Sequence, residues 1–343
     1  MTSQDKSKYS AFISQTLGNL QSTVKSALEF IRFREVVKRD STVFVKPNFT
    51  FPHPAKGVTT NPDLLRVLLP ILAKNCRRLI VGESDGGSSS FPAEKAFQEH
   101  GMYEICRDSG AELVNLSKLP SEFVESKIVG KKVKVLVPSL LLKDVDCAIS
   151  VPTLKVHVVT TASLGMKNLW GCYPDTMRCL HHQNLAYKLA LLAKVINPKI
   201  TLIDGLFGLN NHGPMYGTPI NMDLLIAANN VVVADALAIH VMKLPLKKVR
   251  HVVIAEKEGL GTTNLDSVRI NTDWKQYCRQ FRIKKTLLDN ASMILVKSDL
   301  AAKIVMDSPL TSFLYGCAGN LRSKDEQATA SYLSPNRRCV KNK

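Results

Sequence analysis

The sequence predicts an α/β protein with a mostly parallel sheet flanked by helices, a small β-hairpin insertion and a helical C-terminal extension. Three observations carry this. Short apolar runs at 42–45, 78–82 and 112–116 read as strands and alternate with helical stretches, an order that favours a parallel sheet covered on both faces. Two β-rich runs between 123 and 137 flank Val129-Gly130-Lys131-Lys132, the pattern of a hairpin. The chain has 343 residues, 45% of them hydrophobic, enough for one large α/β domain or two lobes.

Taken in order, residues 1–41 form a polar lead and a helix whose apolar face is Val24, Ala27, Leu28 and Ile31. Thr42-Val43-Phe44-Val45 is a strand halted by Lys46-Pro47-Asn48. Asn61-Pro62 is an N-cap and first-turn pair, because the Asn side chain satisfies a free amide and Pro lacks one; a helix runs from there to about residue 75. The strand 78–82 leads into the loop Gly86-Gly87-Ser88-Ser89-Ser90, and Pro92 opens a helix that stops near His100-Gly101. After the strand 112–116 and the hairpin, a short helix spans 140–145. Cys147-Ala148-Ile149-Ser150-Val151 is apolar enough for a strand buried on both faces. A helix at 185–195 and a strand at 199–203, ended by Asp204-Gly205, come next. A strand at 224–227 and helices at 231–242 and 246–258 complete an α/β domain spanning 42–273. Residues 274–320 read as the helical extension, and 321–343 as a polar, basic tail of disordered composition.

The net charge is +17, and residues 274–343 hold 13 basic against 5 acidic residues. A positive surface attracts anionic small molecules, nucleic acid or anionic membrane through the same field. Nucleic acid is not favoured, because aromatics make up 6% and no helix-turn-helix, RNP or zinc-finger pattern occurs. No apolar run reaches the roughly 18 residues of a membrane helix, and the first residues carry no apolar signal core. The expected compartment is therefore cytoplasmic. The eight cysteines include no C-x-x-C pair, so a zinc ribbon or an iron–sulfur cluster is not expected.

Open α/β sheets bind ligands beyond the carboxyl ends of their strands. Several polar groups stand there: Lys46 and Asn48, then Glu83 and Asp85, then Lys155 and His157, then Asp204. Each admits a plainer reading as a turn. Lys167 and Asn168 follow closely in Leu164-Gly165-Met166-Lys167-Asn168, and Arg178 and His181 lie beyond. Lysines suit an anion, and a lysine beside another cation loses its proton more readily and can act as base or nucleophile. Histidine titrates near neutrality and suits acid/base work. A metal on His157, His181 and Asp204 is open by ligand type, although no spacing supports it, so no metal site is assigned. Asn211-His212-Gly213-Pro214-Met215-Tyr216-Gly217 is either a lid or a surface connection.

Several strings together resemble the family known as domain of unknown function 362. They include Val45-Lys46-Pro47-Asn48, Thr60-Asn61-Pro62, Val81-Gly82-Glu83-Ser84 and Ser150-Val151-Pro152-Thr153-Leu154-Lys155-Val156-His157. Leu164-Gly165-Met166-Lys167-Asn168-Leu169-Trp170-Gly171, Ile203-Asp204-Gly205 and Val233-Ala234-Asp235-Ala236 follow in order. The resemblance spans about residues 43–271 and implies an α/β domain but little about reaction. Many members are similar to iron–sulfur proteins through an attached ferredoxin-type module, and this chain lacks the cysteine run of such a module.

The resulting expectation is an enzyme, an oxidoreductase among the candidates, acting on an anionic small molecule, with its cofactor undetermined. Lys46, Lys155 and Lys167 hold the anion and Asn48 and Asn168 orient it, with Arg178 as a further anion contact. His157 or His181 is the acid/base, and Asp204 orients a histidine or holds a cation. The alternatives are a binding protein that docks nucleic acid or an acidic partner through the basic C-terminus, and a metal-dependent hydrolase or isomerase.

Overall fold

The computed structural model describes residues 7–285. The first strand, β1 (Ser10–Gln15), precedes α1 (Leu20–Phe30), whose Asn19 side chain accepts from the Ser22 amide. β2 (Thr42–Pro47) and β3 (Arg78–Glu83) are linked by α2 (Pro62–Ala73), with Asn61 accepting from the Asp63 amide as the Asn-Pro pair predicts. α3 (Ala93–Glu99) and α4 (Met102–Ser109) lead to β4 (Glu112–Asn115). The hairpin is β5 (Ser121–Ile128) and β6 (Lys131–Pro138), turned by Val129 and Gly130, both at positive φ. α5 (Ser139–Lys143) precedes β7 (Cys147–Val151), β8 (Thr153–His157) and β9 (Thr161–Ser163). Then come α6 (Gly165–Asn168), α7 (Leu185–Ile196), β10 (Ile200–Asn210), β11 (Thr218–Ala228), α8 (Val231–Val241), α9 (Arg250–Lys257) and β12 (Arg269–Ile270).

The main sheet runs β12-β1-β11-β10-β7-β2-β3-β4. From β10 to β4 all neighbours are parallel, and β11 is antiparallel to both β10 and β1. Alternation along the strands divides the core. Val43, Val45, Val81 and Ile149 pack with α1 to α4 on one face, whereas Phe44, Ile80, Ala148 and Ile203 pack with α7, α8 and α9 on the other. The architecture is thus the α/β sandwich with a mostly parallel sheet and a small antiparallel hairpin.

Two details of the strands differ from the sequence reading. Residues 1–41 contribute more than a helix, because Ser10–Gln15 is a strand paired with β11 and β12. Its sequence, Ser-Ala-Phe-Ile-Ser-Gln, carries too short an apolar run to stand out. The buried strand also does not end at Val151. Pro152 lacks the amide needed to continue the β7 ladder, and the chain resumes as β8, which pairs only with β10 and β9. β10 correspondingly continues past Asp204-Gly205 to Asn210. Of the expected helical extension, Trp274–Tyr277 is a single 3₁₀ turn; the segment 286–320 and the tail 321–343 lie outside the described residues.

This topology leaves a crevice. From β2 the chain moves outward to β3 and β4, then returns to the other side of β2 as β7 and β10. The strand order reverses between β2 and β7, and such a switch point opens a cleft at the carboxyl edge of the sheet. The departure of β8 toward β10 widens it.

Candidate functional site

A cavity of about 620 Å³ occupies this switch point. Lys46, Asn48, His157, Lys167, Asn168 and Arg178 line it, six of the nine residues singled out from the sequence. Phe51, Phe91, Trp170 and Tyr216 add aromatic surface, and Pro214 to Tyr216 place the Gly/Pro-rich segment along one wall.

The floor is a buried ion pair. Lys46 ends β2 and Glu83 ends β3; Nζ lies 2.5 Å from Oε2, and both residues are buried. Lys46 Nζ also donates to the Pro47 carbonyl at 2.7 Å. The Glu83 carboxylate accepts from the backbone amides of Phe49 at 3.1 Å and Ser84 at 3.1 Å. Every charge on the floor is thereby matched, as buried charge must be. A Cβ on Gly171 would lie 2.6 Å from Glu83 Oε1 and 2.8 Å from Lys46 Nζ, so glycine is what lets that loop close over the pair.

Unmatched positive charge stands above the floor. Lys167 has no hydrogen bond or ion pair among the described residues, and burial together with the Arg178 guanidinium lowers its pKa to about 8. Arg178 donates to the backbone carbonyls of Asp85 at 2.8 Å and Asp175 at 3.3 Å, which place its guanidinium at the cavity wall. His157 Nδ1 accepts from the Val159 amide at 3.1 Å. That bond requires a bare Nδ1, so in the neutral ring Nε2 carries the hydrogen. Burial and the nearby lysines hold the His157 pKa well below its usual value, which keeps the ring neutral. The cavity therefore presents a lysine poised near neutrality, an arginine and a neutral imidazole donor.

The asparagines are bound into the framework. Asn48 donates to the Val58 carbonyl at 3.0 Å and to Thr153 Oγ1 at 2.9 Å, tying the end of β2 to β8. Asn168 donates to the Lys46 carbonyl at 2.9 Å and to Ser150 Oγ at 3.1 Å, holding α6 over the β2–β7 gap.

Three singled-out residues stand elsewhere. Lys155 is buried on β8 and donates to Thr50 Oγ1 at 3.0 Å and the Val58 carbonyl at 2.8 Å; burial and Lys167 push its pKa well down. It is one residue removed from the cavity, through Thr50. His181 pairs with Asp175 at 2.8 Å, outside the lining. Asp204 accepts from the amides of Asn61 at 2.7 Å and Leu206 at 3.1 Å, fixing the start of α2; burial raises its pKa to about 6. His157, His181 and Asp204 are thus not assembled together. Among the described residues, no group of three or more His, Cys, Asp or Glu is placed to hold a metal ion.

Other contributors were assigned no role from the sequence. Glu83 stands at the same strand-end position as Lys46, with opposite charge, and that symmetry was the available signal. Asp235 is fully buried in α8, which is apolar apart from it and His240, and accepts from the amides of Gly165 at 2.7 Å and Met166 at 3.0 Å. It anchors the short helix that carries Lys167 and Asn168. A carboxylate inside an apolar helix needs partners, which was its signal. His182 and Trp170 also line the cavity; their rings lie 5.8 Å apart, and the Trp170 indole N–H is buried with no acceptor among the described residues.

Residues 43–240 match the family described as "Domain of unknown function (DUF362)". The chain belongs to this family. The match runs from β2 to the end of α8 and so includes every residue lining the cavity. Among curated proteins, the chain is similar to a thylakoid-associated protein of Synechocystis sp., with 25% identity over 260 residues, 72% of this chain and 77% of that protein. Among the described residues, no helix is long and apolar enough to cross a membrane.

Proposed function

We propose that the switch-point cavity binds an anionic small molecule and performs proton transfer on it, with Lys167 as the titrating group. The observation that carries this reading is the Lys167 ammonium, without a partner among the described residues, beside Arg178 in a cavity whose lining carboxylate, Glu83, is already committed to Lys46. An anion entering the cavity meets two cations and the His157 Nε2 hydrogen. With a pKa of about 8, about a tenth of the Lys167 amine is unprotonated at pH 7, enough to act as a base. Returning the proton from the ammonium completes an acid/base cycle. Lys155, Asp204 and Asp235 position these groups, and Phe51, Phe91 and Tyr216 accommodate an apolar part of the ligand.

Thermal-shift and calorimetric titrations test this with 2-oxo acids, dicarboxylates and phosphate monoesters. At least one class should stabilise the wild type, with the effect lost in Lys167→Met and Arg178→Gln. If no class binds, or if both variants bind as the wild type does, the reading fails.

A further inference from the structure

A lysine amine that ordinary ion pairs do not occupy is a nucleophile as well as a cation. Lys167 stands on α6, a single turn fixed at its start by the Asp235 carboxylate and at its end by Asn168, which donates to the Lys46 carbonyl and Ser150 Oγ. The backbone that carries the amine is therefore held from both sides. The residue is half-buried and lines the switch-point cavity, with no hydrogen bond or ion pair among the described residues. Two other groups of that lining lie within Coulomb reach: the Arg178 charge is felt at Lys167, and the Lys167 charge at His157. Each of the three suits a different part of a ligand. The guanidinium suits a carboxylate, which matches its planar fork. The His157 Nε2 hydrogen suits a carbonyl oxygen, because Nδ1 is taken by the Val159 amide. The amine suits the carbonyl carbon. A carboxylate next to a carbonyl satisfies all three, and that pairing defines a 2-oxo acid. The rings of Phe51, Phe91, Trp170 and Tyr216 suit an organic substituent on it and disfavour water beside it.

Resting on the anion site proposed above, we propose that Lys167 forms an imine with a 2-oxo acid whose carboxylate is held by Arg178. The neutral amine nitrogen attacks the carbonyl carbon. A C–N bond forms, the carbonyl π electrons move to oxygen, and a proton passes from nitrogen to that oxygen, giving a carbinolamine. The His157 Nε2 hydrogen bonds this oxygen as charge develops on it. The hydroxyl then leaves with the remaining amine proton as one water, and the C=N bond is formed. No oxidant or reductant is consumed. The Lys167 pKa of about 8 keeps a share of the amine neutral near pH 7.

Pyruvate and phenylpyruvate, each incubated with the full chain and sodium cyanoborohydride, test the step, because hydride converts an imine to a stable secondary amine. Intact-mass and peptide mass spectrometry should show a single reduced adduct, on Lys167. Lactate and phenyllactate carry the carboxylate without the carbonyl, and calorimetry with them reads binding alone. Lys167→Arg keeps the cation and loses the nucleophile. It should abolish the adduct while changing the affinity for the tighter hydroxy acid by no more than about threefold. Arg178→Gln should lower adduct formation and hydroxy-acid affinity together, each by about tenfold. Oxo acids that bind the wild type without yielding an adduct, or an adduct that persists in Lys167→Arg, would overturn the imine and leave the anion site standing. Absence of binding by all four acids would also overturn the imine, and the anion site would then stand or fall with the dicarboxylates and phosphate monoesters.

Discussion

Individual residues in this protein are governed by how buried charge is compensated. Lys46 and Glu83 were legible as strand-end residues, yet their pairing depends on the parallel register of β2 and β3, which no local pattern encodes. Lys46→Met should destabilise the protein by about 3–5 kcal/mol, because it strands the Glu83 carboxylate. Adding Glu83→Gln should recover much of that loss, and urea unfolding of the single and double variants checks it. An additive double variant would refute the pairing. Lys167 differs because none of the described residues compensates it. Folding depresses its pKa from 10.5 to about 8, so the folded state carries a penalty for the ammonium. That penalty is full below about pH 8 and disappears as pH rises toward 10.5. Relative to Lys167→Met, the wild type should therefore gain stability across this range, which thermal melts at several pH values would show.

At the scale of elements, short connections set the site more than the long helices do. The strand carrying Cys147 to Val151 was legible from its unbroken apolar run, and α2 from its Asn-Pro start. The continuation of β8 was not, because Lys155 and His157 look like loop residues until β10 offers Lys155 a partner and β9 offers one to His157. α6 is a single turn, too short for periodicity to reveal, and it is held by the Asp235 carboxylate from α8. Asp235→Asn should cost about 1–3 kcal/mol and weaken ligand binding at Lys167 without altering the cavity lining. Burial raises the Asp235 pKa from 3.8 to about 7. The stabilisation linked to its proton is therefore full below about pH 4 and lost as pH rises through about 7. The stability difference between wild type and Asp235→Asn should fall across that interval, and a difference independent of pH would contradict the assignment.

Across the whole molecule, the family match begins at β2, but the sheet does not. β1 lies between β11 and β12, and α1 covers the same face as α2, with Phe12, Val24 and Leu28 buried there. A chain beginning at residue 42 should lose cooperative unfolding in a urea titration followed by circular dichroism, because β11 gains a bare edge and the α2 face is uncovered. A sharp transition at the wild-type midpoint would show that the N-terminal segment is dispensable. The fold class was legible because the alternation of elements is a local property. The convergence of Lys46, His157, Lys167 and Arg178 was legible only as a shared topological position, since their contacts depend on where β8 and α6 settle. The central claim is that Lys167 is a desolvated cation awaiting an anion. Its side-chain pKa, measured by carbon-13 NMR of selectively labelled lysine and assigned with Lys167→Met, tests this most directly. A value near 8 without ligand, rising when an anion identified by thermal shift is added, is the predicted result; a value near 10.5 that no such anion moves would contradict it.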